Sequence, residues 1–177
     1  EQRLLGATIP EHFSMTARRF ASREAVVSVP QKRRLTYEAF AGKIDRVARG
    51  LLGLGFGKGD RIGVWSTNNI EWLLLQMATA RIGAILVNIN PAYRPRELAY
   101  ALKRSELAGL FLIPAFRTSN YVEMIVDLVP ALKEAGSSER PPLSAEYPDL
   151  RHVVLYDPVA PEATVSPYPG FRLWAEF

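Results

Sequence analysis

The densest glycine segment of the chain, residues 53–59, is the first candidate for phosphate chemistry. A glycine-rich loop holds phosphate through its backbone amides when it follows a strand and opens a helix. This segment instead follows a predicted helix and precedes a predicted strand. Lys58 is followed by glycine, not by the serine or threonine that would ligate Mg²⁺ in a phosphate loop. We therefore interpret the segment as a helix stop followed by a tight turn.

Candidate nucleophiles and bases are few. The chain has no cysteine, which excludes disulfides, thiolate metal ligands and a cysteine nucleophile. Ser14, Ser66 and Ser105 lack the Gly-x-Ser-x-Gly context that exposes a hydrolase serine. His12 and His152 could act as general bases, but a lone histidine is more often a surface or packing residue. Neither a hydrolase nor a soft-ligand metal site is expected.

Three carboxylates could be taken for catalytic groups, namely Asp60, Glu71 and Glu97. Each of them falls where a turn or the first turn of a helix favours an acidic residue for its backbone amides and dipole. We therefore predict structural roles for all three.

Aromatic and basic residues could indicate nucleic-acid binding. Trp65, Trp72 and Tyr93 could form a stacking platform, but no basic groove around them can be recognised, so we interpret them as packing residues. The densest basic cluster, residues 32–34, lies between two apolar runs and is interpreted as a solvated turn; a nucleic-acid patch is the alternative. No nucleic-acid partner is predicted.

The elements that would position these residues alternate between helix and strand. Apolar periodicity and turn residues predict them in the following order: an amphipathic stretch at 11–20, a hairpin of 25–29 and 34–35, a helix over 37–54, a strand at 62–65, a helix from Asn68 to Gly83, a buried strand at 84–87, a helix over 95–105, a strand at 109–113, a helical face over 121–129 and a strand at 152–156.

The helix ends carry recognisable signals. Thr36 is the predicted N-cap of the first long helix, and Gly53 or Gly55 its left-handed stop. Asn68 is the predicted N-cap of the next helix, with Glu71 reaching back to the cap amide. The predicted buried face of the first long helix consists of Phe40, Ile44, Val47, Ala48, Leu51 and Leu52.

This alternation implies parallel strands joined by right-handed helical crossovers, hence an α/β fold with an incomplete, open and mostly parallel sheet. We expect residues 1–177 to form one partial domain. Polar and proline-rich composition predicts loops or linkers at 134–149 and 157–170, and residues 171–177 suggest a helix interrupted in its first turns. Because residues 1–6 lack an initiator methionine and an apolar signal core, and because 171–177 suggest an interrupted helix, the chain is expected to be trimmed at both ends.

Three segments in fixed order resemble the adenylate-forming enzymes, which include acyl-CoA synthetases, luciferases and peptide-synthetase adenylation domains. Residues 35–40 resemble the Leu-Thr-Tyr motif that begins these enzymes. Residues 58–64 and 68–72 resemble their Gly-Asp strand entry and helix start, and 80–93, continued by 97–102, resemble their second core motif. Within the family, 88–93 and 116–121 look most like the medium-chain branch of fatty acyl-CoA synthetases. Ser66 and Thr67 depart from the Gly-Pro or Ala-Pro that relatives carry in that turn.

The resemblance covers about the opening third of a family member. It implies a parent enzyme that uses ATP and Mg²⁺ to convert a fatty acid to an acyl-adenylate, from which coenzyme A displaces AMP to give a thioester. The phosphate loop, the acidic metal and ribose site and the mobile lysine of that chemistry match no residue here. We therefore assign no catalytic, cofactor-binding or metal residue, and we expect the fragment to be inactive and to bind none of these cofactors tightly.

Three further expectations follow. The longest apolar stretch, 72–80, is too short for a transmembrane helix, and the composition favours a cytoplasmic location. Because the helix over 68–83 is apolar nearly all round, the fragment is expected to self-associate through exposed apolar surface. The alternatives are a natural short binding module with an α/β fold and, less favoured because the glycine fingerprint is missing, a dinucleotide-binding oxidoreductase.

Overall fold

The computed structural model describes residues 6–134 and 143–177. The α-helices are α1 (Ile9–Arg19), α2 (Tyr37–Gly53), α3 (Ile70–Ile82), α4 (Pro95–Arg104) and α5 (Tyr121–Leu128). The strands are β1 (Glu24–Ser28), β2 (Arg33–Thr36), β3 (Arg61–Trp65), β4 (Ile85–Ile89), β5 (Gly109–Leu112), β6 (Ala115–Phe116), β7 (Ser119–Asn120), β8 (His152–Leu155) and β9 (Arg172–Leu173).

The main sheet has five parallel strands in the order β4-β3-β5-β8-β9. The chain moves from β3 to β4, then crosses back over β3 to β5 and continues outwards. Because crossovers between parallel strands are right-handed, this reversal places α3 on one face of the sheet and α4 and α5 on the other. Helices α1 and α2 pack with α3, and α4 packs with α5. The predicted α/β open sheet is confirmed.

The core lies along the three central strands. All four residues of β5 and all four of β8 are buried, as are the last four of β3, because helices cover both faces. Strands enclosed in this way are continuous apolar runs, which is why the sequence shows them clearly.

The amino-terminal elements largely follow the prediction. Strands β1 and β2 form an antiparallel hairpin, and the Thr36 side chain accepts a hydrogen bond from the Ala39 amide at the start of α2. Gly55 takes the left-handed conformation with φ of 79°, whereas Gly53 is still helical. One residue of the predicted buried face is wrong: Leu52 is 54% exposed, because it lies beside Leu51 on the turn and faces outwards.

The predicted cap of α3 is displaced by one residue. Asn69, not Asn68, is the N-cap, and its side chain accepts a hydrogen bond from the Trp72 amide at 2.8 Å. The carboxylate of Glu71 does not reach back to the cap. It is 1% exposed and binds side chains of the β1–β2 hairpin, so the predicted capping box is wrong. Gly83 ends the helix with φ of 75°, as predicted.

Strand β4 is an edge strand, not the buried strand that its apolar run predicts. Among the described strands only β3 pairs with it, and Ile85 is 49% exposed. A run of apolar residues indicates that a strand is hydrophobic, but it does not indicate whether the strand has a neighbour on both sides.

The carboxyl-terminal residues also differ from the prediction. Instead of the start of a helix, Arg172–Leu173 forms β9 beside β8, and a 3₁₀ turn follows at Trp174–Glu176. The predicted loop at 157–170 contains a short 3₁₀ helix at Pro161–Ala163. In the predicted loop at 134–149, residues 135–142 lie outside the described residues.

Helix α3 exposes less apolar surface than its composition suggests. Leu74, Leu75 and Ala78 are buried, and Trp72 and Met77 are half-buried, because α1 and α2 pack against the helix. Within the described part of the chain, no helix combines the length and the hydropathy needed to cross a bilayer.

Candidate functional site

The candidate site is the edge of the sheet at which the parallel strands end. In open α/β sheets, ligands bind outside the carboxyl ends of the strands, at the point where the strand order reverses. Here that point lies between β3 and β5, because the chain leaves β3 for β4 on one side and returns to β5 on the other.

An aromatic stack fills this crevice. The rings of Trp65, the last residue of β3, and Tyr121, the first of α5, lie 3.5 Å apart between centroids with an interplanar angle of 6°. Both side chains are fully buried. Trp65 Nε1 donates to the Asn90 carbonyl at 3.1 Å, and the Tyr121 hydroxyl donates to the Pro91 carbonyl. The stack therefore joins β3 and α5 to the segment that follows β4.

The tyrosine hydroxyls at this edge are held in the neutral form. Burial raises the pKa of Tyr121 to about 12, and burial also raises the pKa of Tyr156. The Tyr156 hydroxyl donates to Asn69 Oδ1 at 3.4 Å, and Asn69 Nδ2 donates to Ser66 Oγ at 2.7 Å. Ser66 Oγ in turn donates to the Thr67 carbonyl at 2.9 Å. This chain of bonds holds the turn after β3 and leaves none of its hydroxyls activated as a nucleophile.

A second buried cluster ties the β1–β2 hairpin to the same edge. Arg33 NH1 donates to Glu71 Oε1 at 2.6 Å, and Gln31 Nε2 donates to Glu71 Oε2 at 2.7 Å. Gln31 also accepts from the Ile70 amide and donates to the Pro158 carbonyl. Arg33 lies in this cluster with 29% of its side chain exposed, and Arg33 and Arg34 both belong to β2. The prediction that residues 32–34 form a solvated turn therefore holds for Lys32 and is wrong for the two arginines.

Beside the filled crevice lies an open cleft of about 510 Å³. It lies at the ends of β3 and β4, with Trp72 and Pro91 among its lining residues and polar groups from Ser66, Thr67 and three asparagines. None of the described residues that line it is charged. The cleft can exchange hydrogen bonds with a ligand, but it offers no cation for a phosphate and no carboxylate for Mg²⁺.

A neighbouring cleft of about 370 Å³ surrounds the β6–β7 hairpin and includes Arg117 and Glu123. Glu123 accepts hydrogen bonds from the Tyr168 hydroxyl at 3.1 and 3.2 Å, which raise the pKa of that tyrosine. Arg94 reaches the hairpin through a 2.8 Å bond to Ser119 Oγ.

The glycine segment does not reach this edge. It lies before β3, at the amino end of the strands, where Asp60 Oδ2 accepts from the Gly57 amide at 2.8 Å and Gly59 has φ of 90°. The interpretation as a helix stop and turn is confirmed, and so is the turn role of Asp60. Glu97 likewise bonds the Arg94 amide at the start of α4, at 3.1 Å.

The two histidines are not brought together and neither lies at the candidate site. His12 is exposed on α1. His152 begins β8, at the opposite edge of the sheet, where its Nε2 lies 3.1 Å from the Leu54 carbonyl and its ring packs edge-on against Phe56. Burial lowers the pKa of His152. Among residues 6–134 and 143–177, no group of three metal-ligating side chains is found.

Most of the chain resembles proteins of a known family. Residues 13–166 match the family described as AMP-binding enzyme. The chain belongs to this family. It is 37% identical over 176 residues to the mitochondrial medium-chain acyl-CoA ligase of Rattus norvegicus, covering 99% of this chain and 27% of the rat protein. It is 36% identical over 173 residues to the enzyme of the same description from Mus musculus, covering 98% of this chain and 26% of the mouse protein.

The fold is similar to that of a solved CoA ligase. The anthranilate CoA ligase AuaEII, solved in complex with anthranoyl-AMP, superposes with a TM-score of 0.73 over 98% of this chain and 28% of its own, at 18% sequence identity. The identity to the rat and mouse ligases confirms the resemblance to the medium-chain acyl-CoA synthetases. The chain spans about a quarter of the length of the curated relatives that it matches.

Proposed function

We propose that this chain is the amino-terminal portion of an ATP-dependent fatty acid:CoA ligase. The observation that carries the proposal is the 37% identity to a medium-chain acyl-CoA ligase over 99% of the chain. In the proposed reaction a fatty acid carboxylate attacks the α-phosphate of ATP, releasing pyrophosphate and forming an acyl-adenylate. The thiol of coenzyme A then attacks the acyl carbon, the bond to AMP breaks, and a thioester forms.

We further propose that residues 1–177 alone do not perform this chemistry. Phosphoryl chemistry needs positive charge or a metal ion where negative charge develops. The residues at the candidate site do not fit that need, because its main cleft is uncharged and its buried acid, Glu71, already binds Arg33 and Gln31. We therefore expect none of ATP, Mg²⁺ and coenzyme A to bind this chain tightly.

We propose that this chain takes no part in the chemical steps and holds neighbouring segments of the protein in position. Its sheet holds the turns after β3 and β4 in place through the Trp65–Tyr121 stack and the Asn69 bonds. A ligand entering the switch point would have to displace that buried stack. We propose that no residue of this chain is catalytic, cofactor-binding or metal-ligating.

The test compares two purified proteins with ATP, Mg²⁺, coenzyme A and fatty acids of graded length. One is the natural polypeptide recognised by an antibody against this chain, whose intact mass is measured first, and the other is the 177-residue chain. We expect the natural polypeptide to be well above 19.8 kDa and to form acyl-CoA, and the short chain to form none. Thioester formation by the short chain would contradict its inactivity.

Two other results would overturn the main proposal. If the large polypeptide forms no thioester with any fatty acid, the ligase assignment fails. If the natural species is near 19.8 kDa, the alternative of a non-enzymatic α/β binding module takes its place. A cytoplasmic location also stays a proposal, since the rat and mouse relatives are described as mitochondrial. Self-association of the 177-residue chain is likewise a proposal, tested by sedimentation.

A further inference from the structure

The outward face of α4 is a basic stripe with an aromatic residue in it. Leu98 and Leu102 are buried against the rest of the fold, which fixes how the helix is rotated. The opposite side, which we call the basic α4 face, is exposed and consists of Arg96, Tyr100, Lys103 and Arg104. Arg96 precedes Tyr100 by four residues, and Lys103 and Arg104 follow it by three and four. These spacings place the side chains next to one another on the helix surface.

The cations of this face are not neutralised by the described part of the chain. The ion pairs found there involve Arg33, Arg34, Arg61, Arg81, Arg151 and Arg172, and none includes a residue of the basic α4 face. The acid of α4, Glu97, directs its carboxylate to the Arg94 amide at the amino end of the helix. Glu146 and Asp149 line a cleft with Lys103, but neither forms an ion pair with it, so Arg96, Lys103 and Arg104 keep three cations outside the ion pairs of the described residues.

Tyr100 sets this face apart from an ordinary solvated helix surface. It is 69% exposed, and among the described residues it is the one aromatic side chain in the group of large, exposed hydrophobic residues. A tyrosine has an apolar ring and a polar hydroxyl, which suits it to the boundary between water and lipid. Lysine and arginine beside it have long apolar stems and charged ends, which suit the same boundary.

We propose that the basic α4 face binds the surface of an anionic phospholipid bilayer. The cations would lie against the lipid phosphates and Tyr100 at the level of the headgroups. The proposal rests in part on the proposed function, because a fatty acid substrate partitions into bilayers and an enzyme held at the surface meets it there. Each lysine or arginine near an anionic surface strengthens binding about fivefold, so the association is weak, reversible and sensitive to salt.

The test is co-sedimentation of the 177-residue chain with vesicles of phosphatidylcholine alone and of phosphatidylcholine mixed with phosphatidylserine. The variant Lys103→Glu/Arg104→Glu reverses two charges of the face, and Tyr100→Ser removes the ring without changing charge. The matched control is Arg46→Glu/Arg49→Glu, which makes the same charge change at exposed positions of α2, in the other helix layer. Circular dichroism checks that every variant is folded.

We expect the wild-type chain to bind the mixed vesicles and not the neutral ones. The α4 double variant should lose at least about tenfold in its partition coefficient, Tyr100→Ser should lose a few-fold, and the α2 control should keep at least half of the wild-type value. Failure of the wild-type chain to bind, equal binding to neutral vesicles, or an equal loss in the α2 control would each overturn the proposal.

A nucleic acid is the competing ligand for a basic face, and a binding assay distinguishes it from lipid. If the wild-type chain binds a short RNA or DNA duplex through Lys103 and Arg104 but does not bind the vesicles, the basic α4 face binds nucleic acid and the lipid proposal is wrong. The vesicle experiment measures binding and not activity. A negative vesicle result therefore does not contradict the ligase proposal, and a negative thioester assay does not contradict vesicle binding.

Discussion

Removing Arg33 should destabilise the fold far more than removing its neighbour Arg34. Arg33 NH1 lies 2.6 Å from Glu71 Oε1, and the Glu71 side chain is 1% exposed, so this carboxylate depends on protein partners alone. Arg34 pairs with Glu24 at 2.8 Å, but these side chains are 66% and 53% exposed and water can replace the partner. The substitutions Arg33→Met and Arg34→Met therefore remove the same group from a buried and an exposed ion pair.

The two substitutions should lower the free energy of unfolding by clearly different amounts. Breaking a buried pair by removing one partner costs about 3–5 kcal/mol, because a charge remains in a site without its counter-charge. Gln31 still donates to Glu71 after the substitution, so we expect the lower end, about 3 kcal/mol. An exposed pair contributes about 0–1 kcal/mol. For a chain of this length, 3 kcal/mol corresponds to a fall in melting temperature of roughly 6–12 °C.

The assay is urea unfolding followed by tryptophan fluorescence, with the free energy of unfolding obtained by linear extrapolation. A third variant, Arg33→Met/Glu71→Met, removes both charges and should recover most of the loss, since apolar residues often replace a buried pair without cost. If Arg33→Met and Arg34→Met differ by less than about 1 kcal/mol, or if the double variant is as unstable as Arg33→Met, the argument from burial is wrong.

Two other predictions concern packing and pH. Gly109→Ala should lower the free energy of unfolding by about 1–3 kcal/mol, because the new Cβ would lie 2.4 Å from an aromatic ring atom. Gly42→Ala, with no atom within 4 Å of its new Cβ, should be neutral or stabilising by up to about 1 kcal/mol. Urea unfolding of both variants measures the difference, and equal effects would contradict this prediction. Burial lowers the pKa of His152 from its ordinary 6.5, so the unfolded chain binds a proton that the folded chain does not, and stability should fall as the pH drops below about 6.5. Unfolding midpoints at a series of pH values should show part of this slope lost in His152→Gln but kept in His12→Gln, and an unchanged slope in His152→Gln would refute the assignment.

The secondary structure was predictable where the deciding information is local. Central strands such as β5 and β8 are buried on both faces, so their apolar runs are unbroken, and Thr36 and Gly83 act on the residues next to them. The edge position of β4 was not predictable, because it depends on which strand lies beside it. The cap of α3 was misplaced for a related reason: two adjacent asparagines can each cap a helix, and the bond from Asn69 to Ser66 favours the second.

The candidate site was less predictable than the fold, because its contacts join residues far apart in the chain. Gln31 and Glu71 are separated by 40 positions, and no spacing rule relates a hairpin turn to the first turn of a later helix. The Trp65–Tyr121 stack could be foreseen only as two packing residues, not as the contents of the switch-point crevice. Sequence motifs could identify the family, since they record ancestry, without indicating which side chains meet.

The filled crevice supports the proposal that a member of the AMP-binding enzyme family can hold none of its catalytic residues in this part of the protein. In a sheet of this order the crevice beside the reversal is the default place for a ligand. Here two fully buried aromatic rings occupy it, and their polar atoms bond the backbone after β4. The same stack that closes the crevice thereby fixes the turns that border the open, uncharged cleft. Under the proposed function, this chain would contribute shape and hydrogen bonds beside a site, and the charges that phosphoryl chemistry requires would come from other residues.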